Sequence, residues 1–264
     1  MKKLTNLITP FKRLSDNERR YSTIALIMFI LAFWSMSGST YLPTPIEIVK
    51  AIPRLVVSKD IFFHFQKSLF FCLSAIAYAT VISLMIAYMS VLPLFSEVCN
   101  LFRKLRFLPS TGLSFLFMKL TVDHGGQPAQ MMWMMVFGVT AWLLDSMIGI
   151  ALSVTEEEIN YGKSLRLSRW QIMRETLIYG KAAQMFQAVI ANFAMAWTLL
   201  AAIENIAKAS GGIGVILSES NKYYKFEEVY AIQILILLTG ILIDFSLQGV
   251  LGFLLPYSKL NKAI

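Results

Sequence analysis

Charge is scarce in this chain. Asp, Glu, Lys and Arg make up only 15% of its 264 residues, and 56% are hydrophobic. Soluble domains carry about 25% charged residues, so this composition argues against a water-facing globule and for a surface that meets lipid. Cysteine and histidine are nearly missing, with two of each. Cys72 and Cys99 stand far apart in apolar surroundings, which argues against a disulfide and leaves two small apolar fillers. His64 and His124 are isolated and are not expected to bind metal. No Gly-x-x-x-x-Gly-Lys-Ser/Thr occurs, so no nucleotide site is expected on the chain itself. The apolar stretches also hold no paired carboxylates or histidine clusters of the kind an intramembrane enzyme would need.

Long apolar stretches are present in their place. A helix needs about 20 apolar residues to cross the hydrocarbon core of a bilayer. The sequence predicts an all-α polytopic membrane protein with about six transmembrane helices, at 22–36, 68–89, 108–122, 129–152, 182–203 and 229–255. The stretch at 108–122 is the weakest, being short and containing Lys119, and is favoured mainly by parity. A cytosolic N-terminal segment, 1–21, precedes a single transmembrane domain, 22–264. Lys2, Lys3, Lys12, Arg13, Arg19 and Arg20 come before the first apolar stretch. No small-residue cleavage site follows that stretch, so it reads as a retained anchor. With both termini inside, about twice as many of the 24 Lys and Arg residues fall on the cytosolic side as outside. The net charge of +8 is therefore read as membrane orientation and not as nucleic-acid binding.

Three connecting segments carry more information. Between the first two spans, Pro43 and Pro45 open a segment with an apolar stripe at Ile46, Val49, Ile52 or Pro53, and Val56. This predicts an amphipathic helix on the outer surface. Between the last two spans, Gly211-Gly212-Ile213-Gly214 lacks the strand and lysine of a phosphate loop, and is expected to give a sharp turn and close helix packing. Between the fourth and fifth spans, residues 154–180 form the longest hydrophilic segment. It holds Glu156, Glu157 and Glu158, then Lys163, Arg166, Arg169 and Arg174 around Trp170. It reads as a polar helix pair on the cytosolic side.

Ionised groups are costly inside apolar helices, which marks Asp145, Glu204 and Asp244. Asp145 and Asp244 lie toward cytosolic ends and are expected to snorkel or pair with a loop arginine. Glu204 closes the fifth span and is expected to hold an outer gate or pair with Lys208. Met131, Met132, Met134 and Met135 have the softness for copper(I), but are read as packing.

Several of these segments together resemble the inner-membrane permease subunits of type I ABC importers, in particular the nitrate/sulfonate/taurine/bicarbonate group. Leu42-Pro43-Thr44-Pro45 with Ile46-Glu47-Ile48-Val49 is similar to the group's outer segment and helix. His64-Phe65-Gln66-Lys67-Ser68-Leu69 and Arg106-Phe107-Leu108-Pro109 are similar to the starts of its second and third spans. Gly211-Gly212-Ile213-Gly214, Val229-Tyr230-Ala231 and Ile243-Asp244 are similar to its carboxyl end. Aligning Ser168-Arg169-Trp170-Gln171 with the family's S-R-W-Q sets Asn160 at the Glu of the cytosolic E-A-A-x-x-x-G motif, Tyr161 and Gly162 at its two Ala positions, and Arg166 at its Gly. The motif has therefore departed at its defining positions while its flanks persist.

The resemblance implies a bacterial inner-membrane permease that forms a solute path and couples it to ATPases by alternating access. The coupling residues would be Asn160, Tyr161, Gly162, Arg166, Leu167, Ser168, Arg169 and Trp170. Ser114, Asn192, Trp197, Thr198 and Glu204 are the candidates for the path or its gate. The implied partners are a second permease subunit, two cytosolic ATP-binding-cassette ATPases holding ATP and Mg, a solute-binding protein and the lipid bilayer. No cofactor is expected on this chain. The departed motif keeps a second possibility open, a structural or regulatory membrane subunit with a permease-like fold. Co-purification of an ATPase separates the two.

Overall fold

The computed structural model describes residues 15–36, 41–208 and 211–256. The basic leader residues Lys2, Lys3, Lys12 and Arg13, together with Ala209, Ser210, Lys259 and Lys262, lie outside them. Among the described residues the regular elements are all helical. They are α1 (Asp16–Ser35), α2 (Pro45–Lys59), α3 (Ile61–Met89), α4 (Ser96–Arg103), α5 (Ser114–Thr121), α6 (Gly126–Ala151), α7 (Glu156–Ser164), α8 (Arg169–Met173), α9 (Ala182–Ile206), α10 (Ile213–Lys222) and α11 (Phe226–Leu254).

Four of them, α3, α6, α9 and α11, are long and apolar enough to cross a membrane. Their outward surfaces agree: Leu237, Leu238, Ile241, Leu242 and Phe245 of α11 are all exposed, as are Phe70, Tyr78, Val81 and Met85 of α3. Large apolar side chains exposed in such numbers would be an aggregation hazard in water and are the ordinary surface in lipid.

The remaining two expected spans take a different form. Helix α1 has 20 residues, but Glu18, Arg19 and Arg20 occupy its first turns and leave an apolar run shorter than those of the other four. The stretch 108–122 is not one helix. It comprises an extended Leu108 and Pro109, a 3-10 turn at Ser110–Leu113, and the eight-residue α5. The anchors at its two ends explain this. Arg106 is held at Asp145, and the Ser114 carbonyl accepts Gln130 Nε2 at 2.9 Å. Those two positions are about 22 Å apart along α6. The chain from Arg106 to Ser114 would cover only about 12 Å as α-helix, whereas extended backbone reaches about 27 Å.

The core fixes helix directions. Cys72, Ala75, Ile76 and Ala79, early in α3, pack with Met131, Met134, Met135 and Val139, early in α6. Ala87, late in α3, packs with Leu143, Leu144 and Met147, late in α6. These two helices are therefore parallel. Met185 and Ala188, early in α9, join the second group, and Phe193, Trp197 and Ile203 join the first, so α9 runs antiparallel. The start of α11, at Ala231 and Ile232, meets Ile61 at the start of α3. One end of the bundle thus carries α2 and α10; the opposite end carries α4, α7 and α8.

The α3–α6 contact is close because α3 presents small residues. Ser68, Cys72, Ala75, Ala79, Ser83 and Ala87 are all fully buried and recur every three or four positions, which lets neighbouring backbones approach. Methionines of α6 fill the resulting groove, so the run at 131–135 is packing material as read from the sequence.

Helix α2 presents two apolar stripes. It starts where anticipated, with a capping box between Thr44 and Glu47 and with Pro45 in the first turn. Its buried stripe, however, is Ile48, Ala51 and Leu55, packed on α10 and α11. Ile46, Val49 and Val56, of the stripe read from the sequence, are exposed, as the apolar face of a helix lying on a membrane surface would be.

Candidate functional site

Residues 154–181 form a projecting helix pair. Thr155 caps α7 through a capping box with Glu158. Glu158 also accepts Lys181 Nζ at 3.2 Å, tying the start of the loop to the start of α9. The Thr155 backbone N–H, with the Lys181 ammonium, holds the Glu158 carboxyl below its ordinary value. Ser168 and Gln171 make a second capping box that starts α8. Helix α8 then widens into a π-helical turn at Arg174–Tyr179, where the Gly180 N–H reaches Glu175 O at 3.0 Å.

The turn between α7 and α8 is held by backbone geometry. Arg166 N–H donates to Lys163 O at 2.9 Å and Leu167 N–H donates to Gly162 O at 3.2 Å. This is the paired pattern that ends a helix with a left-handed residue, usually glycine. Arg166 is that residue, at φ 57°. It takes the left-handed conformation that a glycine would adopt without strain. Gly162 is buried beneath α8, where an added Cβ would lie 2.7 Å from Ile172 Cγ1. Only glycine fits without a shift of Ile172.

The outward face of this pair carries Tyr161 at 70% exposure and Trp170 at 68%, with Leu165 also exposed. Around them Arg166 and Arg169 are exposed, while Asn160 Oδ1 accepts Lys163 Nζ at 3.1 Å. Leu167 is half-buried and Ser168 serves as the cap. Large aromatic surface among cations is the composition of an interface.

The opposite end of the bundle holds a buried polar junction. Glu204 is 1% exposed. Its carboxylate accepts Ser68 Oγ at 2.5 Å and Gly214 N–H at 2.7 Å, and Ser68 Oγ accepts Ile213 N–H at 2.9 Å. His64 Nδ1 accepts Gly212 N–H at 3.1 Å. Glu204, Ser68 and His64 thus satisfy three successive N–H groups at the start of α10, which would otherwise be orphaned in the interior. The glycines allow this approach. Gly211 and Gly212 have φ of 66° and 123°, and a Cβ on Gly214 would lie 2.8 Å from Ala201 Cα. The turning and packing role read from the sequence is realised. The roles of Ser68 and His64 were not legible there, because nothing local links residue 64 or 68 to residue 212.

The other path candidates are dispersed. Ser114 is half-buried where α5 starts, with its carbonyl engaged by Gln130. Asn192 donates to Ser146 Oγ at 3.2 Å and Ala188 O at 2.8 Å. Thr198 is exposed and donates to Met195 O. Trp197 is buried, stacked on Phe193 and donating Nε1–H to Ile236 O at 3.0 Å.

Asp145 does pair with loop arginines. Arg103 Nε donates to Oδ1 at 2.8 Å and Arg106 Nη1 donates to Oδ2. Asp244, in contrast, accepts Gln248 Nε2 at 2.8 Å. No protein-family model matches this chain, and no curated protein matches it.

Proposed function

We propose that this chain is the membrane-spanning permease subunit of an ATP-driven importer, with residues 154–180 as the element gripped by a cytosolic ATPase. One observation carries the reading. The register taken from Ser168-Arg169-Trp170-Gln171 sets the family's glycine at 166, and the backbone there is left-handed, the conformation glycine favours; at 162, where the family has alanine, this chain has the glycine that the close contact with Ile172 requires. A left-handed backbone under an arginine supports reading this turn as one that once held the motif's glycine. Exposed Trp170 and Tyr161 then offer anchors, and Arg166 and Arg169 offer donors for carboxylates or carbonyls.

The proposed topology has six crossings. The parallel direction of α3 and α6 requires the chain to return between them, which supports a short irregular crossing through residues 104–121. Helix α1 supplies the first crossing, since Trp34 near its end packs with α2. Both termini and residues 154–180 would then be cytosolic in a bacterial inner membrane, with α2 and α10 outside. The basic-residue asymmetry agrees with this.

Two such subunits would enclose the solute path, and a binding protein would deliver the solute. ATP and Mg would be held by two separate ATPases. Closure of the ATPase pair would move the α7–α8 elements and shift the path between inward- and outward-facing states. Ser114, Asn192 and Thr198 remain the polar candidates for that path, which reads as a conduit without high-affinity chemistry of its own. A structural or regulatory subunit is the second reading, favoured by the arginine at position 166.

Purification of the tagged full-length chain from its native membrane in mild detergent tests the proposal. A co-purifying ATPase whose hydrolysis depends on the chain is the expected result. A chain that purifies without one, in a topology where a cysteine at position 166 reacts from outside, would overturn it.

A further inference from the structure

We infer that the segment carrying Arg103, Lys104 and Arg106 binds the phosphate of an anionic phospholipid. The inference rests on the membrane reading alone and is independent of ATP coupling. The segment begins where the spanning helix α3 ends at Met89, and so lies at the boundary of the bilayer. Helix α4 is strongly one-sided: Cys99 is buried against the core, and Leu94, Val98, Leu101 and Phe102 are exposed beside it. Phe107 and Leu108 continue the exposed apolar surface. A short helix of this kind lies in the interface with its apolar side chains among acyl chains.

The cations on that segment are under-compensated. Arg103 and Arg106 share a single carboxylate, Asp145. Each uses one N–H on it, and a guanidinium has five. Lys104 is exposed and has no ion pair among the described residues. Glu97, the one acid on α4, stands in its first turn, at the other end from Arg103. Arg106 lies over the Phe107 ring, 5.0 Å from its centroid, so a cation and an acyl-facing aromatic are held together. A phosphate at this point would take the unused guanidinium donors and the Lys104 ammonium, while its acyl chains would lie along Phe102, Phe107 and Leu108. The place of the segment favours a lipid over a protein partner, because it follows directly on the spanning helix α3 and so holds its exposed apolar side chains at the bilayer boundary.

Native mass spectrometry on the full-length protein in detergent, titrated with phosphatidylglycerol or phosphatidylcholine, tests this. Phosphatidylglycerol should bind in preference, and Lys104→Gln should weaken it about fivefold, from the ~1 kcal/mol that each basic residue contributes near an anionic surface. Lys104 makes no ion pair among the described residues, so this variant should unfold at the wild-type temperature; Arg106→Gln, which also removes one of the two partners of Asp145, serves as the second variant. Equal binding of the two lipids, or unchanged binding in both variants, would overturn the proposal. So would displacement by inorganic phosphate at matching concentration, which would mean a soluble-anion site. Loss of a co-purified ATPase from Lys104→Gln with lipid binding intact would assign the patch to a protein partner instead.

Discussion

The Glu204 carboxylate accepts the backbone N–H of Gly214 at 2.7 Å, joining the end of α9 to the first turn of α10. The same carboxylate holds Ser68 of α3, so three elements meet at one buried acid. Leaving a buried donor unsatisfied costs about 1–3 kcal/mol. Glu204→Ala should therefore lose ~2 kcal/mol or more, measured by thermal unfolding in detergent. Ser68→Ala combined with Glu204→Ala should cost less than the two separate losses added, since both remove the same bond. Gly212→Ala should be more harmful than either, because its φ is left-handed and its Cβ would collide with the Glu204 carboxylate.

Arg166 makes the opposite prediction. A side chain in the left-handed region costs roughly 1 kcal/mol relative to glycine. Arg166→Gly should stabilise the α7–α8 turn by about that much, read as increased hydrogen-exchange protection over residues 160–172. Arg166→Val should destabilise it. A neutral outcome for both would mean that the turn is not held as described.

Asp145 compensates two guanidinium groups, all three side chains being about a quarter to a third exposed. Removing one partner of a buried pair is costly, and partial solvation reduces that cost. Asp145→Asn should lose about 1–2 kcal/mol in thermal unfolding. Raising salt should narrow the gap between variant and wild type, since screening weakens the pair only where it exists.

Glu158 gives the loop a pH dependence. Its folded-state pKa is lowered, chiefly by the Thr155 backbone N–H. A lowered carboxyl contributes stability that is present above its unfolded value, about pH 4.3, and is lost as pH falls through the folded value. Limited proteolysis of residues 154–181 should accelerate as the pH drops below about 4. Glu158→Gln should cleave faster at neutral pH and lose most of that acid dependence.

Much of this architecture was legible in the sequence, and the exceptions have physical causes. Apolar length identified α3, α6, α9 and α11, because crossing a bilayer imposes a local requirement. It missed the broken form of 108–122, because that form is set by distant anchors at Gln130 and Asp145. The second α2 stripe, Ile48, Ala51 and Leu55, was not read, because only its partners on α10 and α11 mark it as buried. Capping boxes at Thr155 and Ser168 were available to a local reading and mark where α7 and α8 begin. The Glu204 junction was half visible, as a buried charge and a glycine run, but its partners Ser68 and His64 come from another helix. The packing of Trp197 on Phe193 and Ile236 was not legible, because an aromatic in an apolar helix looks the same in sequence whether it lines a path or fills a core.

The central claim is that Trp170 anchors a cytosolic ATPase. Truncating a buried aromatic anchor costs about 2 kcal/mol or more, whereas losing one rim charge costs roughly 1 kcal/mol or less. The direct measurement is ATPase co-purification and ATP hydrolysis for Trp170→Ala, Arg169→Ala and the triple variant of Arg166, Arg169 and Trp170 in the reconstituted complex. The account predicts that Trp170→Ala loses association and hydrolysis more severely than Arg169→Ala, with membrane insertion unchanged. Unaltered association and hydrolysis in Trp170→Ala and in the triple variant would contradict it and remove residues 154–180 as the coupling element.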